Sequence, residues 1–591
     1  MELENNRTPE NSSDNNKIPE KSNTRRSSVW LPLWITLGVA VGILIGNIFA
    51  NFNSRRSLFD RGNKLEAILE YVSESYVDTV NIQELVENAI PTVVSGLDPH
   101  SVYISAKDME LVGDDLEGHF SGIGVQFIIQ KDSIVVVAIV PGGPSEAAGI
   151  LAGDRIVFVN DSLFAGETIS NEKVMRELRG KTGSTVKLGI KRLSEKEIVD
   201  IKVTRASIPV NSVDVSFSPA EKIGYIKVSK FGSTTYSEFI SAISKLKIQG
   251  VESFVIDLRQ NTGGYLNAAI DMVGEFFDGN QLIVYTEGRA FPRQNFFTKT
   301  PGTCINDQIV VLIDEISASA SEIFAGAIQD TDRGLIIGRR SFGKGLVQGQ
   351  RQFKDGSALR LTVARYHTPS GRCIQKAYEK GNSDDYNQDI KRRFLRGEFD
   401  SQDSIKLDNF PLFHTEGGRP VYGDDGIMPD IFIPRDTVGV NSYFTKVAGA
   451  ALIYEYAFSY TDQNRAKLTS FKTWQELSSY LGKQPLVSNL VNLAETKGIR
   501  RRPVLIEDSR KLFQTQLEAY IVRNIFGEDG YFQIILRDDI VLKRAIELIN
   551  KKKAFPESVK EKAYTSSTGI LTGESFNQIF PGAFFNRAQY T

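Results

Sequence analysis

The chain predicts a multidomain α+β protein: a helical N-terminal domain, a β-rich domain, an α/β core with a mostly parallel sheet, and a helical C-terminal appendage. Three observations carry this. A length of 591 residues suits three or four domains, because single cores stop growing near 250–300 residues. Short apolar runs at 222–228, 254–259 and 309–313 alternate with helical spacings at 236–246 and 322–329, the pattern of strands joined by crossover helices. Glycine-punctuated alternation precedes that region and helical periodicity follows it. The hydrophobic share of 41% and charged share of 24% are those of a globular protein. A net charge of −2 gives no electrostatic case for nucleic acid. The two cysteines, Cys304 and Cys373, exclude a disulfide scaffold and carry no metal spacing, so one bridge or two free thiols remain. No metal and no cofactor is implied.

Residues 1–28 are polar, with too little apolar surface to order themselves, and read as a disordered cytoplasmic tail. Residues 29–50 carry no charge; about 33 Å of helix would cross a bilayer. Lys17, Lys21, Arg25 and Arg26 precede the segment, which puts the tail inside and the rest outside the cytoplasm. Its length and its poor cleavage site favour a transmembrane signal anchor over a cleaved leader. The expected location is the cell (inner) membrane, single-pass, with the catalytic part extracytoplasmic.

Residues 58–111 form the helical N-terminal domain: Leu65, Ile68, Leu69, Val72 and Tyr76, then Leu85, Val86, Ala89, Ile90, Val93 and Val94, recur at helical spacing. Two amphipathic helices packed on each other are expected, closed by a turn at Leu97–Ser101 in which His100 is a capping residue. Residues 115–206 run from a glycine loop into alternating strands and a short helix around Ala147. This order is similar to a PDZ domain. Ser121, Gly122, Ile123 and Gly124 allow consecutive N–H groups to hold a peptide carboxylate, with an extended peptide added beside Val125–Ile128.

The core, residues 207–440, has its candidate active site after the apolar run Ile309–Ile313. Small residues there, Ser317 to Ser321, permit a tight turn into a helix, whose N-terminus can stabilise an oxyanion. None of the four histidines lies in this stretch. Lys344, between Gly343 and Gly345, is the nearer base. A lysine working near pH 7–8 must have its charged form disfavoured by about 4 kcal/mol, which an apolar site supplies. Gln348 can orient the amine without raising its pKa.

Ser317-Ala-Ser-Ala-Ser-Glu-Ile323, then Phe342-Gly-Lys-Gly345, then Val347-Gln348, resembles the carboxy-terminal processing peptidase family, the tail-specific serine-lysine proteases. The resemblance covers residues 58–440 and includes the Leu97–Ser101 turn and Gly426–Ile431. It implies Ser319 as nucleophile, Lys344 as base 25 residues on, and Gln348 four further. It also implies an oxyanion site from Gly263 or Gly264 together with Ala320, and Asp330 as a supporting charge of some members. Thr262 stands where the family commonly has proline, which bears on the stiffness of that turn.

Residues 377–424 form a charged insertion expected at the surface. Residues 441–591 show helical patterns at 444–460, 474–481 and 538–551, read as a docking or oligomerisation module or a solvated appendage. The expected function is a membrane-anchored serine endopeptidase cleaving protein C-terminal tails through an acyl-enzyme. Its partners are tails, the membrane through one helix, and a second copy or accessory protein. The competing reading is a catalytically silent scaffold that only captures chain ends.

Overall fold

A computed structural model describes residues 34–47, 64–112, 117–130, 133–166, 169–192, 195–407, 410–553 and 555–556. The expected tail, 1–28, lies outside the described residues. Of the expected anchor, residues 34–47 are helical and exposed, and the remainder lies outside the described residues. Among the described residues no helix is long and apolar enough to cross a membrane.

The chain divides into two units, 1–89 and 90–591. The first holds the helix Lys64–Ser75 and begins Ile82–Ser95. Their spacing is amphipathic as expected, but Leu65, Ile68, Tyr71 and Tyr76 are exposed, so this apolar face is not buried as anticipated.

In the second unit, the β-rich domain is a sheet running Val125–Gln130, Ser133–Ile139, Arg155–Val159, Thr185–Lys191, Val199–Thr204. Its core is branched aliphatic: Ile134, Val136, Ile156, Val186, Leu188 and Ile190, with Val174 and Leu178 from the helix Asn171–Leu178. Among the described residues Val125–Gln130 is an edge strand, paired only with Ser133–Ile139.

The α/β core is built on a sheet ordered Val213–Ala220, Ile223–Val228, Ser253–Asp257, Gln308–Ile313, Leu335–Gly338, Ile431–Phe432. Every pair is parallel except the first. Apolar residues on both faces dictate this, since a parallel strand is covered above and below. Phe254, Ile256, Ile309, Val311 and Ile313 pack under the helices Thr235–Ile248, Leu266–Gly274 and Ala320–Asp330. Val255, Val310 and Leu312 point the other way, onto Val541, Leu542, Ala545 and Leu548 of the helix Ile540–Asn550. Arg259 secures that helix through Asp539 at 2.8 Å.

Two expectations change. The insertion is not a surface excursion: Tyr386 and Arg393 are buried, and Arg393 donates to the carbonyls of Ser341 at 2.9 Å and Arg340 at 2.7 Å. The helix expected at 444–460 is two, Ser442–Gly449 and Leu452–Leu468, broken where Ala451 takes φ 55°.

Candidate active site and family

Four elements meet at one place. The strand Gln308–Ile313 delivers the chain through Asp314–Ala318 to Ser319, the N-cap of Ala320–Asp330. Asp314 shapes this turn by accepting from the Gln260 and Ile316 N–H groups, at 3.0 and 3.1 Å. Ser317 and Ser321 are fully buried and donate their hydroxyls to the carbonyls of Leu258 at 2.8 Å and Asn261 at 2.9 Å. Ser319 alone of the three lines a cleft of about 750 Å³. Its backbone, at φ 56° and ψ −114°, lies where L-residues are rarely found, a strain of about 1–3 kcal/mol that surrounding contacts must hold.

Glu322 supplies that hold. Fully buried, it accepts at Oε2 from the N–H groups of Ser319 (2.8 Å) and Lys344 (2.9 Å). At Oε1 it accepts from the Ser341 hydroxyl (2.5 Å) and the Gly343 N–H (2.7 Å). Burial raises its pKa, opposed by these hydrogen bonds. On the other side the Tyr366 hydroxyl lies 2.5 Å from the carbonyl of Lys344 and 3.1 Å from that of Ser319. The two segments are therefore held side by side through their main chains. No hydrogen bond joins Ser319 Oγ to Lys344 Nζ in this structure.

Lys344 is half-buried, and burial lowers its pKa, with Arg360 adding to the shift and Glu322 opposing it. His100 sits in the same neighbourhood. Burial and the charge of Lys344 bring its pKa down to about 4, against the pull of Asp98. His100 Nε2 is 2.9 Å from the Tyr386 hydroxyl of the insertion, and Tyr386 meets Phe342 edge-on at 5.8 Å. Lys376 Nζ lies 3.9 Å from the Phe342 ring centroid. The loop bearing Lys344 is thus walled by three distant segments.

Opposite Ser319 is the turn 261–264. Asn261 accepts the Gly263 N–H at 2.8 Å, while its carbonyl accepts from Ala318 at 3.0 Å. This clasp stiffens the turn, which has threonine and not proline at 262. A Cβ on Gly263 would lie 2.7 Å from Ser319 Cβ and 3.0 Å from Ala320 N, so only glycine permits the approach. Gly263 therefore has its N–H engaged. Those of Gly264 and Ala320 are left without a partner among the described residues.

Gln348 lines the cleft with its side chain 3.5 Å from the Leu346 carbonyl, a weak contact. Asp330 is not brought to this place. It lies at the far end of the helix from Ser319, about 16 Å along the axis, locked to Arg372 at 2.6 Å and Ser370. Its charge serves packing. The roles of Glu322, Tyr366 and Tyr386 were not foreseen; the Ser319-x-x-Glu322 spacing of a capping box is the local signal for the first.

In the β-rich domain, Ser121 and Gly122 belong to the strand His119–Gly122, paired with Ala206–Pro209. The Ser121 hydroxyl is 2.8 Å from that of Thr182. The carbonyls of Ile123 and Gly124 accept from Ser145 and Val140, and their N–H groups are unengaged among the described residues. These two adjoin the open edge of Val125–Gln130, and Ser121 and Gly122 do not offer a comparable site.

Among the described residues no group of His, Cys, Asp and Glu could hold a metal. Cys304 and Cys373 are free thiols. Burial pushes the Cys304 thiol up to about 12.

The profile of peptidase family S41 matches residues 222–387. A carboxy-terminal-processing protease of Bartonella bacilliformis is 37% identical over 55% of this chain and 74% of its own length. The chain belongs to peptidase family S41. Within S41, carboxy-terminal processing protease CtpB of Bacillus subtilis is 33% identical over 53% of this chain and 65% of its own. A photosystem II D1 C-terminal processing protease structure aligns with 64% of this S41 chain and 93% of its own, at 25% identity and a TM-score of 0.33. Residues 121–203 match the PDZ domain and 443–527 a family of unknown function, so the β-rich domain of this S41 peptidase is a PDZ domain.

Proposed function

We propose that this S41 peptidase is a serine endopeptidase that captures the C-terminal tail of a protein on its PDZ domain and cuts that protein at Ser319. The observation that carries the reading is the shared grip of Glu322 and Tyr366 on the main chains of Ser319 and Lys344, beside the unengaged N–H groups of Gly264 and Ala320. Neutral Lys344 takes the proton of the Ser319 hydroxyl as Oγ attacks the scissile carbonyl. The oxygen of that carbonyl becomes an oxyanion, received by the N–H groups of Gly264 and Ala320 at the positive end of the helix dipole. The lysine ammonium then protonates the leaving amine, and water hydrolyses the acyl-enzyme by the same base. Gln348, an uncharged neighbour, helps orient the Lys344 amine. Closure of Ser319 Oγ onto Lys344 Nζ accompanies substrate binding, since apo active sites often tighten only in the complex.

The tail carboxylate is received by the N–H groups of Ile123 and Gly124, and the tail extends the sheet along Val125–Gln130. Residues 29–50 anchor the chain in a membrane, a reading supported by their length without charge. The test compares the full chain with its Ser319→Ala and Lys344→Ala variants on unstructured proteins bearing free or amidated C-termini. Both variants should lose at least about a thousandfold in kcat/KM, and amidation should raise KM. Equal turnover by all three proteins overturns the catalytic assignment. Membrane anchoring is checked by fractionation, where removal of residues 29–50 should release the protein in soluble form.

A further inference from the structure

The cleft beside Ser319 contains one formal charge. Asp271, on the helix Leu266–Gly274, is the sole acidic or basic side chain among the residues that line it. The rest of the wall is hydroxyl, amide and apolar, Ser233, Asn267, Gln294, Phe296 and Ile323 among them. Asp271 is half-buried and its carboxylate forms no hydrogen bond or ion pair among the described residues.

Its neighbours cannot neutralise it. The Tyr236 hydroxyl, which also lines the cleft, gives its proton to Glu275 at 2.7 Å, and that bond helps push the tyrosine pKa up to about 12. Glu275 in turn is satisfied by the N–H of Thr303 at 2.9 Å and its hydroxyl at 2.7 Å. Tyr236 is thus a neutral group whose proton is committed to Glu275 and not to Asp271, and no lysine or arginine is among the residues that line the wall. An uncompensated carboxylate in a concave, partly desolvated site attracts a cation and repels an anion.

We infer that Asp271 selects the sequence to be cut: substrates carrying lysine or arginine close to the scissile bond are preferred, and those with aspartate or glutamate there are rejected. The inference rests on the reading of Ser319 as nucleophile. It is separate from the PDZ domain, which reads the chain end, whereas Asp271 reads side chains at the cut. Substrate choice is then made twice, by two surfaces with different chemistry.

The test uses the full chain, its Asp271→Asn and Asp271→Lys variants, and Ser319→Ala as control. The substrates are unstructured proteins with one common C-terminus, in which lysine, glutamine or glutamate is moved through the positions flanking the cut mapped by mass spectrometry. The wild type should favour lysine over glutamate by about tenfold in kcat/KM at its best position, as expected for one charge pair at a partly buried site. Asp271→Asn should bring that ratio near unity, Asp271→Lys should invert it, and added salt should narrow it in the wild type. An unchanged ratio in both variants, or no lysine–glutamate discrimination by the wild type at any position, overturns the inference. Cleavage surviving in Ser319→Ala overturns instead the catalytic reading on which it rests.

Discussion

Glu322 receives four donors and forms no ion pair among the described residues. Substitution by glutamine places an NH₂ group against N–H groups that need an acceptor, whichever way the amide turns. Glu322→Gln is expected to destabilise the protein by about 2–4 kcal/mol and to lower kcat by separating Ser319 from Lys344; denaturant titration and steady-state kinetics check both effects. The base carries its own signature in pH. In the proposed mechanism Lys344 acts only when neutral, and its pKa is depressed, so kcat/KM should rise with pH through that depressed value and then level off. Arg360 contributes to the depression. Arg360→Gln should therefore raise the pKa and move the rising limb to higher pH, as a pH–rate profile would read. At this scale the sequence marked Ser319 and Lys344 as candidates through their spacing and flanking small residues, and the structure holds their main chains side by side through Glu322 and Tyr366. It was silent on Gly264 against Gly263, since that choice depends on where the Asn261 side chain accepts its hydrogen bond.

Among the elements, the insertion shows most clearly what local pattern conceals. Its charges suggest a solvated excursion, yet Arg393 spends its guanidinium on main-chain carbonyls near the lysine loop, and Tyr386 links His100 to Phe342. Such contacts join residues far apart in sequence and leave no periodic trace. Tyr386→Ala should admit water behind the loop, raise the pKa of Lys344 towards its ordinary value, and so lower kcat at neutral pH while leaving much of it at higher pH; a kcat profile against pH decides this. His100 offers a stability measurement. Its folded pKa, about 4, lies below the usual value near 6.5. The unfolded chain therefore binds more protons between these values, and stability is full above about 6.5 and falls as pH is lowered towards 4. His100→Asn should flatten that slope in thermal melts. The strands of the core, by contrast, were legible, because burial on both faces leaves an unbroken apolar run such as Ile309–Ile313.

For the whole molecule, the part matched by the S41 profile does not enclose its own sheet. Val255, Val310 and Leu312 are covered by Ile540–Asn550, more than two hundred residues downstream of Leu312. Leu542→Ala and Leu548→Ala should each cost about 2–4 kcal/mol, measured as a lower denaturant midpoint, which a solvated appendage would not show. The helical region also touches the PDZ domain. Phe458 packs on Val135 and Val137, and Arg523 donates to Gln126 at 2.8 Å, beside the strand Val125–Gln130 that the tail is proposed to extend. The helical periodicities were readable along 441–591, but which surfaces they cover is set by long-range packing that no single window of sequence reports.

One carboxylate and one phenol reach both the Ser319 turn and the Lys344 loop, and this has a bearing on control. Neither half can drift without tugging on its companion, so partial states are penalised and intermediate settings are scarce. A disturbance of the loop wall built from Tyr386, His100 and Lys376 would therefore be felt at the Ser319 turn as well.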